Sequence, residues 1–431
     1  MKTYRMKLTH EEKDVLEGKQ GETMRKALES VVWYGETFDA ERLAPIDHGG
    51  HLVTSFGIPL LKPVFSLMEE LIDAGLTTKE PFTVDPRPMD FKHVKTNIIE
   101  QVIFKKVMYG KQKEYEKQLK QVGLKDDNAF SCTCYMDEVG NIPKRGDILS
   151  WAESSAVVYV NSVLGARCNR NSGVIELLGG ITGKVPVFGL LTDEGRKADW
   201  VIELRTSSIP EAPVLGSAIG LKVMEDVPYI IGLDTYLGKE LTQDAKDYLK
   251  DMGAATASNG AVGLYHVDGL TPEAKDLGKE LVREGAKHYI IDDDELTRVK
   301  DSYPIMWKNP DAKPAKAFIG CPHLSQKQIG TWLERLEKAL KAAGKKRVGI
   351  QTVMTAAPDV VEAVKRKSDV IERLAKIGVQ VSSICPLMYM NNPLCAKKAV
   401  ITNSNKLRTY TTARYIGDER MVRVLVRGKI I

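Results

Sequence analysis

The sequence predicts an α/β protein with mostly parallel sheets, built from several tightly joined domains whose interleaving is left open. From about residue 145 onward, short apolar runs alternate with segments of helical periodicity, an order typical of parallel strands covered by helices. The chain has 431 residues and is 43% hydrophobic, enough for two or three packed domains. No flexible linker divides it, and we expect approximate α/β regions at 1–130, 131–310 and 311–431.

Local signals predict helices, a broken strand and an ordered loop in the first 130 residues. Thr9 and Glu12 form the Thr-x-x-Glu pattern of a capping box, which predicts a helix start. Apolar residues at helical spacing over 62–74 predict another helix, which Gly75 ends. The remaining predictions here are a helix after residue 21, a strand-like run broken by glycines at 43–57, and a proline-rich ordered loop at 81–91.

The rest of the chain predicts strands in alternation with helices. Residues 148–164 are largely apolar with small side chains and predict a buried helix. Pro272 at a first helical position, and Ser325 with Gln328 as a capping pair, predict two further helix starts. Predicted strands lie at 185–192, 227–233, 260–267, 316–320, 347–353 and 379–385, and a predicted helix lies at 358–377.

Composition and charge argue against several classes of protein. The 62 basic and 57 acidic residues leave a net charge of +5, and the basic runs at 105–113 and 341–347 lack interleaved aromatic residues, so we expect no nucleic-acid partner. No apolar stretch approaches the roughly 18 residues of a membrane span, so we expect no membrane partner. The N-terminus lacks the apolar core of a signal peptide, and the six unevenly spaced cysteines form no disulfide framework. We therefore expect a cytoplasmic protein.

Common nucleotide and hydrolase motifs are absent from the sequence. The glycines around Gly183 and Lys184 lack the spacing of a phosphate loop, no Gly-x-Gly-x-x-Gly follows a strand, and no Gly-x-Ser-x-Gly is present. His48 and His51 lie on a glycine-rich turn, where loop hydrogen bonding is a commoner role than metal binding. His266 and His323 are interpreted as structural residues or neighbours of a site.

Two of the six cysteines follow predicted strands, where functional groups of α/β folds gather. Cys321 and Cys385 each end a strand and precede a proline, and Cys132 lies in a Ser-Cys-Thr-Cys run. Cysteine–proline pairs recur in iron–sulfur ligation, and three cysteines around a cubane cluster would leave one iron open as a Lewis acid. Free cysteines are also common small core residues, and no Cys-x-x-Cys pair is present.

Several segments in a fixed order resemble the large, catalytic part of the aconitase X family. The combination is specific, although no single piece is, and it spans nearly the whole chain. The resemblance implies an aconitase-like fold and an iron-dependent dehydratase, with dehydration of mevalonate 5-phosphate or cis-3-hydroxyproline as the family's activities. The matching runs are Trp151–Tyr159, Leu164–Arg167, Asn169–Arg170, Ile181–Gly183, 260–274, Gly320–His323, Thr402–Ser404 and Lys406.

The resemblance implies an iron–sulfur cluster held by three cysteines. These would be Cys132, Cys321 and Cys385, and a 4Fe–4S cluster is preferred to a 2Fe–2S cluster or a single iron. The family usually has Cys-Thr-Pro where this chain has Cys-Thr-Cys, so Cys134 remains an alternative to Cys132, which the alignment favours.

The resemblance also implies residues that contact substrate. Glu153 would act as an acid or base or order the departing hydroxyl, and Lys406 would neutralise an acid group. The alternative, structural roles are a solvated lysine at position 406 and a helix-capping hydroxyl at Ser154. The implied substrate-binding residues are Val53, Thr54, Ser55, Asp85, Pro86 and Ser154.

Two departures from the family bear on substrate and partner. Asp85 replaces the asparagine of the phosphomevalonate enzymes, and its carboxylate would repel a phosphate and favour an amino-acid-like or otherwise non-phosphorylated substrate. The chain ends soon after Lys406, without room for the family's small swivelling domain, which carries the serine expected to act as base. We therefore expect a separate small subunit and a small hydroxy-acid substrate. Alternatives are an aconitase-like isomerase, a non-catalytic cluster-bearing regulator and a metal-free relic.

Overall fold

The computed structural model describes residues 3–430, and its first part packs helices around two small sheets. Strands β1 and β4 pair antiparallel, and β2 pairs parallel with β3. The predicted capping box of Thr9 and Glu12 is confirmed. The elements are α1 (His10–Leu16), α2 (Glu22–Thr37), β1 (Leu43–Pro45), β2 (His51–Leu52), α3 (Lys62–Asp73), β3 (Thr83–Val84), α4 (Ile98–Val102), a π-helical turn (Ile103–Met108), α5 (Gln112–Val122), α6 (Ser154–Tyr159), a second π-helical turn (Val160–Leu164), α7 (Ile175–Thr182) and β4 (Lys184–Pro186).

The central part contains a four-stranded parallel sheet in the order β7-β6-β5-β8. Helices α8 and α10 pack against each other beside it, and α10 also packs on α6. The elements are β5 (Ala198–Arg205), α8 (Ala212–Val223), β6 (Pro228–Ile231), α9 (Asp234–Leu237), α10 (Gln243–Gly260), β7 (His266–Val267), α11 (Pro272–Leu277), β8 (Val282–Asp292) and α12 (Asp293–Asp301).

The C-terminal part contains a five-stranded parallel sheet in the order β11-β10-β9-β12-β13. The predicted capping box of Ser325 and Gln328 is confirmed. The elements are β9 (Lys316–Ile319), α13 (Gln326–Ala342), β10 (Gln351–Thr355), α14 (Pro358–Lys367), α15 (Val370–Lys376), β11 (Val379–Ser382), α16 (Pro386–Met390), β12 (Val400–Thr402), α17 (Asn405–Tyr410), β13 (Arg414–Tyr415) and α18 (Asp418–Arg427).

The predicted fold class, α/β with mostly parallel sheets, is confirmed, whereas several element predictions are wrong. The helix predicted over 148–164 begins only at Ser154, because 148–153 is extended and forms bridges through Ile148 and Trp151. The strand predicted over 185–192 ends at Pro186 and gives way to a 3-10 turn. The helix predicted over 358–377 is two helices, and strands β5 and β8 were not predicted. The domain limits near residues 130 and 310 stay predictions.

No helix among the described residues is long and apolar enough to cross a lipid bilayer.

The contact between α8 and α10 depends on small residues. A Cβ at Gly216 would lie 2.2 Å from the Met252 carbonyl oxygen and 2.8 Å from the Ala255 Cβ. At Gly220 the Thr256 carbonyl oxygen would be 2.7 Å away. The two helix backbones therefore approach closely only because side chains are missing at these positions, and α10 in turn supports α6.

We predict that Gly216→Ala lowers the free energy of unfolding by about 1–3 kcal/mol, because the added methyl group overpacks the α8–α10 contact. Gly330→Ala is the matched control, since Gly330 also lies within a helix, α13, but has open space around its Cβ position. The control should raise stability by about 0.5–1 kcal/mol. Urea unfolding midpoints measure both variants, and a Gly216→Ala protein as stable as wild type would contradict the prediction.

Candidate active site

Three cysteine thiols from three segments converge at the carboxyl edge of the C-terminal sheet. Cys321 follows β9 and Cys385 follows β11, where parallel strands present their carboxyl ends. Cys132 comes from the loop after residue 130, and its Sγ accepts a hydrogen bond of 3.4 Å from the His323 N–H. The Cys321 thiol lies within electrostatic range of both other thiols. The structure thus brings together the three cysteines predicted from the sequence.

Exposure separates the six cysteines into two sets. The three at the sheet edge are half-buried, and the three buried ones are Cys134, Cys168 and Cys395. Burial raises the pKa of Cys321 to about 11 and that of Cys132 well above its ordinary value. These thiols therefore stay protonated at neutral pH unless a bound metal replaces their protons. Within residues 3–430, no group of three or more His, Cys, Asp or Glu side chains is arranged to hold a metal ion.

His323 holds two of the cysteine-bearing segments together. Its ring is completely buried, with Nδ1 3.2 Å from the Ser131 hydroxyl and Nε2 3.2 Å from the Ile384 carbonyl oxygen. Burial lowers the pKa of His323 to about 4, so the ring is neutral. Its role as a neighbour of the site, one of the two predicted interpretations, agrees with these contacts. His266 has a structural contact instead, 2.8 Å from the Arg196 carbonyl oxygen.

A buried ion pair between Lys406 and Glu153 lies beside the thiols. The Lys406 ammonium donates to Glu153 Oε1 and, over 3.0 Å, to the Ser155 hydroxyl. Glu153 Oε2 accepts from the Ala156 N–H at 2.6 Å and from the Ser155 hydroxyl at 2.7 Å, so Glu153 caps α6. The alternative roles are therefore wrong: Lys406 is buried rather than solvated, and the helix cap is not Ser154.

Both members of this pair are held in their charged forms. Burial alone would raise the pKa of Glu153, but the Lys406 ammonium outweighs it and keeps that pKa below its ordinary value. Burial alone would lower the pKa of Lys406, but Glu153 raises it, followed by the Cys321 and Cys132 thiols. The site therefore keeps a fixed ammonium and a fixed carboxylate next to the cysteines.

Asp85 and His51 form a second polar pair whose facing atoms lack hydrogen-bond partners. His51 Nε2 lies 3.8 Å from Asp85 Oδ1, and neither atom has a hydrogen bond. Burial lowers the pKa of His51 to about 4, and burial followed by the Glu153 charge raises the pKa of Asp85 well above its ordinary value. Pro86, the next residue, is buried. Unpartnered buried polar atoms are rare in native proteins and mark positions where a ligand can bind.

The loop over Val53, Thr54 and Ser55 is held from two sides. The Val53 N–H donates to Glu176 Oε1 over 3.0 Å, and the Thr54 hydroxyl lies 2.5 Å from the Tyr115 hydroxyl. A Cβ at Gly173 would lie 2.1 Å from the Val53 carbonyl oxygen, so the chain before α7 packs directly on this loop. Ser55 is completely buried. The loop is therefore positioned by the start of α7 and by α5.

Two residues that hold the substrate loop and the ion pair in place were not predicted from the sequence. The pattern around Glu176, a charged residue within the otherwise apolar run IELLGGIT, is the signal that could have identified it. Ser155 was likewise missed, although it bonds both members of the ion pair. Ser154 begins α6 directly after Glu153, which places this predicted residue at the edge of the ion pair.

Comparisons with known proteins point to one family. Family models described as the aconitase X first, second and third domains match residues 5–194, 197–301 and 315–422. The chain is 31% identical to the phosphomevalonate dehydratase large subunit of Aeropyrum pernix, over 95% of this chain and 96% of that one. It is 28% identical to the cis-3-hydroxy-L-proline dehydratase of Pseudomonas aeruginosa, over 70% of this chain and 51% of that one.

A solved structure resembles the whole chain. It is the holo form of aconitase X from Thermococcus kodakaraensis, with a TM-score of 0.80 and 27% sequence identity. The likeness covers 98% of this chain and 100% of the other. The phosphomevalonate dehydratase large subunit of Thermococcus kodakarensis is 31% identical over 78% of this chain and 79% of that one.

We predict that Glu176 makes the protein less stable as pH rises between about 4.5 and 8. Burial raises the pKa of Glu176 from 4.5 to about 8, so in this window the unfolded chain loses a proton that the folded chain keeps. Across the whole window the loss should be at most about 5 kcal/mol. The difference in urea unfolding free energy between wild type and Glu176→Gln across this pH range should show it, because the buried neutral histidines His51, His266 and His323 act in the opposite direction in both proteins.

The Glu176→Gln variant should lose most of this pH dependence, because glutamine keeps an acceptor for the Val53 N–H without titrating. Glu362→Gln is the control, since Glu362 is an exposed carboxylate paired with Lys365. The same pH slope in Glu176→Gln as in wild type would show that Glu176 does not carry the effect.

Proposed function

The chain belongs to the aconitase X family, and from that premise we propose that it is the large subunit of an iron–sulfur-dependent hydro-lyase acting on a small hydroxy acid. Its relatives are dehydratases, which are hydro-lyases. The observation that carries the proposal is the convergence of three half-buried thiols beside a buried lysine–glutamate pair. We propose a reducing, cytoplasmic compartment, as the unevenly spaced cysteines of the sequence predict.

The donor set fits an iron–sulfur cluster. Cys132, Cys321 and Cys385 would hold it, since thiolates are the usual ligands of such clusters and a cluster spreads its ligands over separate irons. Following the family resemblance, we propose a 4Fe–4S cluster rather than a 2Fe–2S cluster or a single iron. When bound, such a cluster supplies a Lewis-acidic iron that helps a hydroxide leave.

The chain's own charged residues have complementary roles. The Lys406 ammonium lies close enough to the Cys321 and Cys132 thiols to lower their pKa values, although burial raises them more. An acid group bound at the thiols would therefore lie near a fixed positive charge. Glu153 stays ionised, so it can accept a proton or order the substrate hydroxyl. The family resemblance implies that the substrate is lined by Val53, Thr54, Ser55, Pro86 and Ser154. Burial of the site limits the access of bulk water.

The charges at the site favour an amino-acid-like substrate over a phosphorylated one. Three carboxyl groups, those of Asp85, Glu153 and Glu176, lie at the site with one ammonium, that of Lys406. Glu153 is ionised, whereas burial raises the pKa of Asp85 and Glu176, so each of these two ionises only when a cation approaches. An amine near the unpartnered Asp85 Oδ1 would supply its missing donor, whereas a phosphate would meet a carboxyl group that cannot neutralise it. We therefore propose a hydroxyproline-like substrate.

A small subunit is part of the proposal. Several relatives are named as large subunits, which implies a partner chain. We propose that this partner is the small swivelling domain, that it carries the serine that acts as base, and that it closes over the cysteines and excludes water.

The test is dehydration by the anaerobically reconstituted chain, alone and with its small subunit. We expect loss of water from cis-3-hydroxyproline only when both chains are present, and little or none from mevalonate 5-phosphate. Formation of the unsaturated product is followed by mass spectrometry. A single chain that turns over as fast as the pair would rule out the partner's catalytic role, and no dehydration of any hydroxy acid would rule out the activity.

We predict that Asp85→Asn weakens the use of cis-3-hydroxyproline, raising KM by about tenfold or more, since a charge-assisted hydrogen bond contributes roughly 1.5–3 kcal/mol. Asp90→Asn is the control, because Asp90 lies in the same loop but is already bonded to Ser382 and His93. Steady-state kinetics measure both variants. An unchanged KM in Asp85→Asn would mean that Asp85 does not recognise the amine.

A further inference from the structure

An exposed apolar face lies on α4, the π-helical turn after it and the loop before α3. Ile98 is 80% exposed and Leu60 is 87% exposed, values unusual for large aliphatic side chains. Contiguous apolar surface of this kind marks an interaction site in a folded protein. The face consists of Leu60, Leu61, Ile98, Ile99, Val102 and Val107.

In α4, which carries most of this face, the acidic side chain is buried and the apolar side chains are exposed. Glu100 points inward, only 1% exposed, where it forms an ion pair with Lys398 and a capping box with Asn97. Ile98 and Val102, four residues apart on the same side of the helix, face solvent instead. A surface helix normally buries its apolar side. The contacts of Glu100 therefore fix the helix with its apolar side facing solvent.

The two segments of the face are in contact. The Lys111 N–H, just after the π-helical turn, donates to the Gly57 carbonyl oxygen over 3.0 Å. A Cβ at Gly110 would lie 3.5 Å from Pro59 Cγ, so the loop before α3 packs on the end of the turn. Leu60 and Val107 thus belong to one surface.

This face lies on segments that share a hydrophobic cluster with the candidate active site. Beneath it, Phe104 and Tyr109 pack in the same hydrophobic cluster as Phe56, and Val53 and Cys321 pack against that cluster. The substrate loop continues directly into the exposed loop, since Ser55 Oγ accepts from the Gly57 N–H at 3.4 Å. A protein bound on this face would therefore lie next to the loop that positions the substrate.

Positive charges surround the apolar residues. Lys62, Lys95, Lys105 and Lys106 are all exposed, and the acidic residue of the helix, Glu100, is buried. Charge complementarity therefore calls for a partner with an apolar centre and an acidic rim.

We propose that this apolar face is the docking surface of the small subunit, whose docking face is apolar with an acidic rim. The inference rests on the proposed two-subunit hydro-lyase. The face joins the exposed loop to the substrate loop, so docking there couples binding of the partner to ordering of the residues that hold the substrate.

The experiment uses the complex purified anaerobically from the source cells through a tag on this chain. The probe is the co-purified polypeptide whose sequence matches an aconitase X small subunit. Hydrogen–deuterium exchange is compared between the complex and this chain alone. We expect slower exchange at residues 57–63 and 97–110 in the complex, and no change at 286–306, which also carries exposed Ile290, Ile305 and Met306.

A double variant, Ile98→Ser with Val107→Ser, should weaken the affinity for the small subunit at least about tenfold, as for central interface residues. Its matched control is Ile290→Ser with Met306→Ser, which also removes exposed apolar side chains. Iron content and the thermal midpoint of the chain alone should stay unchanged in both, which separates loss of docking from loss of fold.

Protection elsewhere in an active complex, or full affinity of the double variant, would overturn the docking surface and leave the proposed function intact. Protection of 97–110 in the chain alone that grows with its concentration would assign the face to a second copy and also overturn it. Full activity with no small subunit present would overturn the two-subunit function and this inference together.

Discussion

The arrangement of the site depends on one buried ion pair, between Lys406 and Glu153. These residues lie 253 positions apart, one at the start of α17 beside the C-terminal sheet and the other at the cap of α6. A buried charge without its partner costs several kcal/mol, so each side chain fixes the position of the other. The pair therefore ties the loop after β12 to α6, which α10 and α8 support from behind.

The other polar groups of the site are arranged around that pair, and several lack partners. The Cys132 and Cys321 thiols lie near the Lys406 ammonium, while Asp85 lies near the Glu153 carboxylate, which helps to raise its pKa. His51 Nε2, Asp85 Oδ1 and Glu176 Oε2 have no hydrogen-bond partner among the described residues. Such atoms are rare in native proteins, and a bound ligand or an ordered water can supply their missing hydrogen bonds.

The parts of the fold that could be predicted from the sequence are those with local causes. Capping boxes at Thr9 and Ser325 are local contacts, and β9 and β11 are short apolar runs whose ends place Cys321 and Cys385. Strand β8 was not predicted, because only Ile291 of its residues is buried and only its pairing with β5 makes it a strand. The extended stretch before α6 was predicted to be helical, because a short apolar run does not distinguish a buried strand from a buried helix.

The candidate site shows the same division between local and distant causes. Lys406 and Glu153 were predicted through family resemblance, but their direct contact follows from packing of distant segments, which no spacing encodes. Glu176 and Tyr115, which hold the substrate loop, were missed for this reason: each touches it across more than 60 residues of sequence, with separations of 123 and 61.

The most direct test of the proposed cluster is to measure iron and acid-labile sulfide, and to record an electron paramagnetic resonance spectrum, for anaerobically purified wild type, Cys321→Ala and Cys134→Ala. We expect iron and sulfide in the wild type, their loss in Cys321→Ala, and their retention in Cys134→Ala, because Cys134 is fully buried and not one of the three half-buried cysteines. Neither iron nor sulfide in the wild type after anaerobic reconstitution would contradict the proposed cluster.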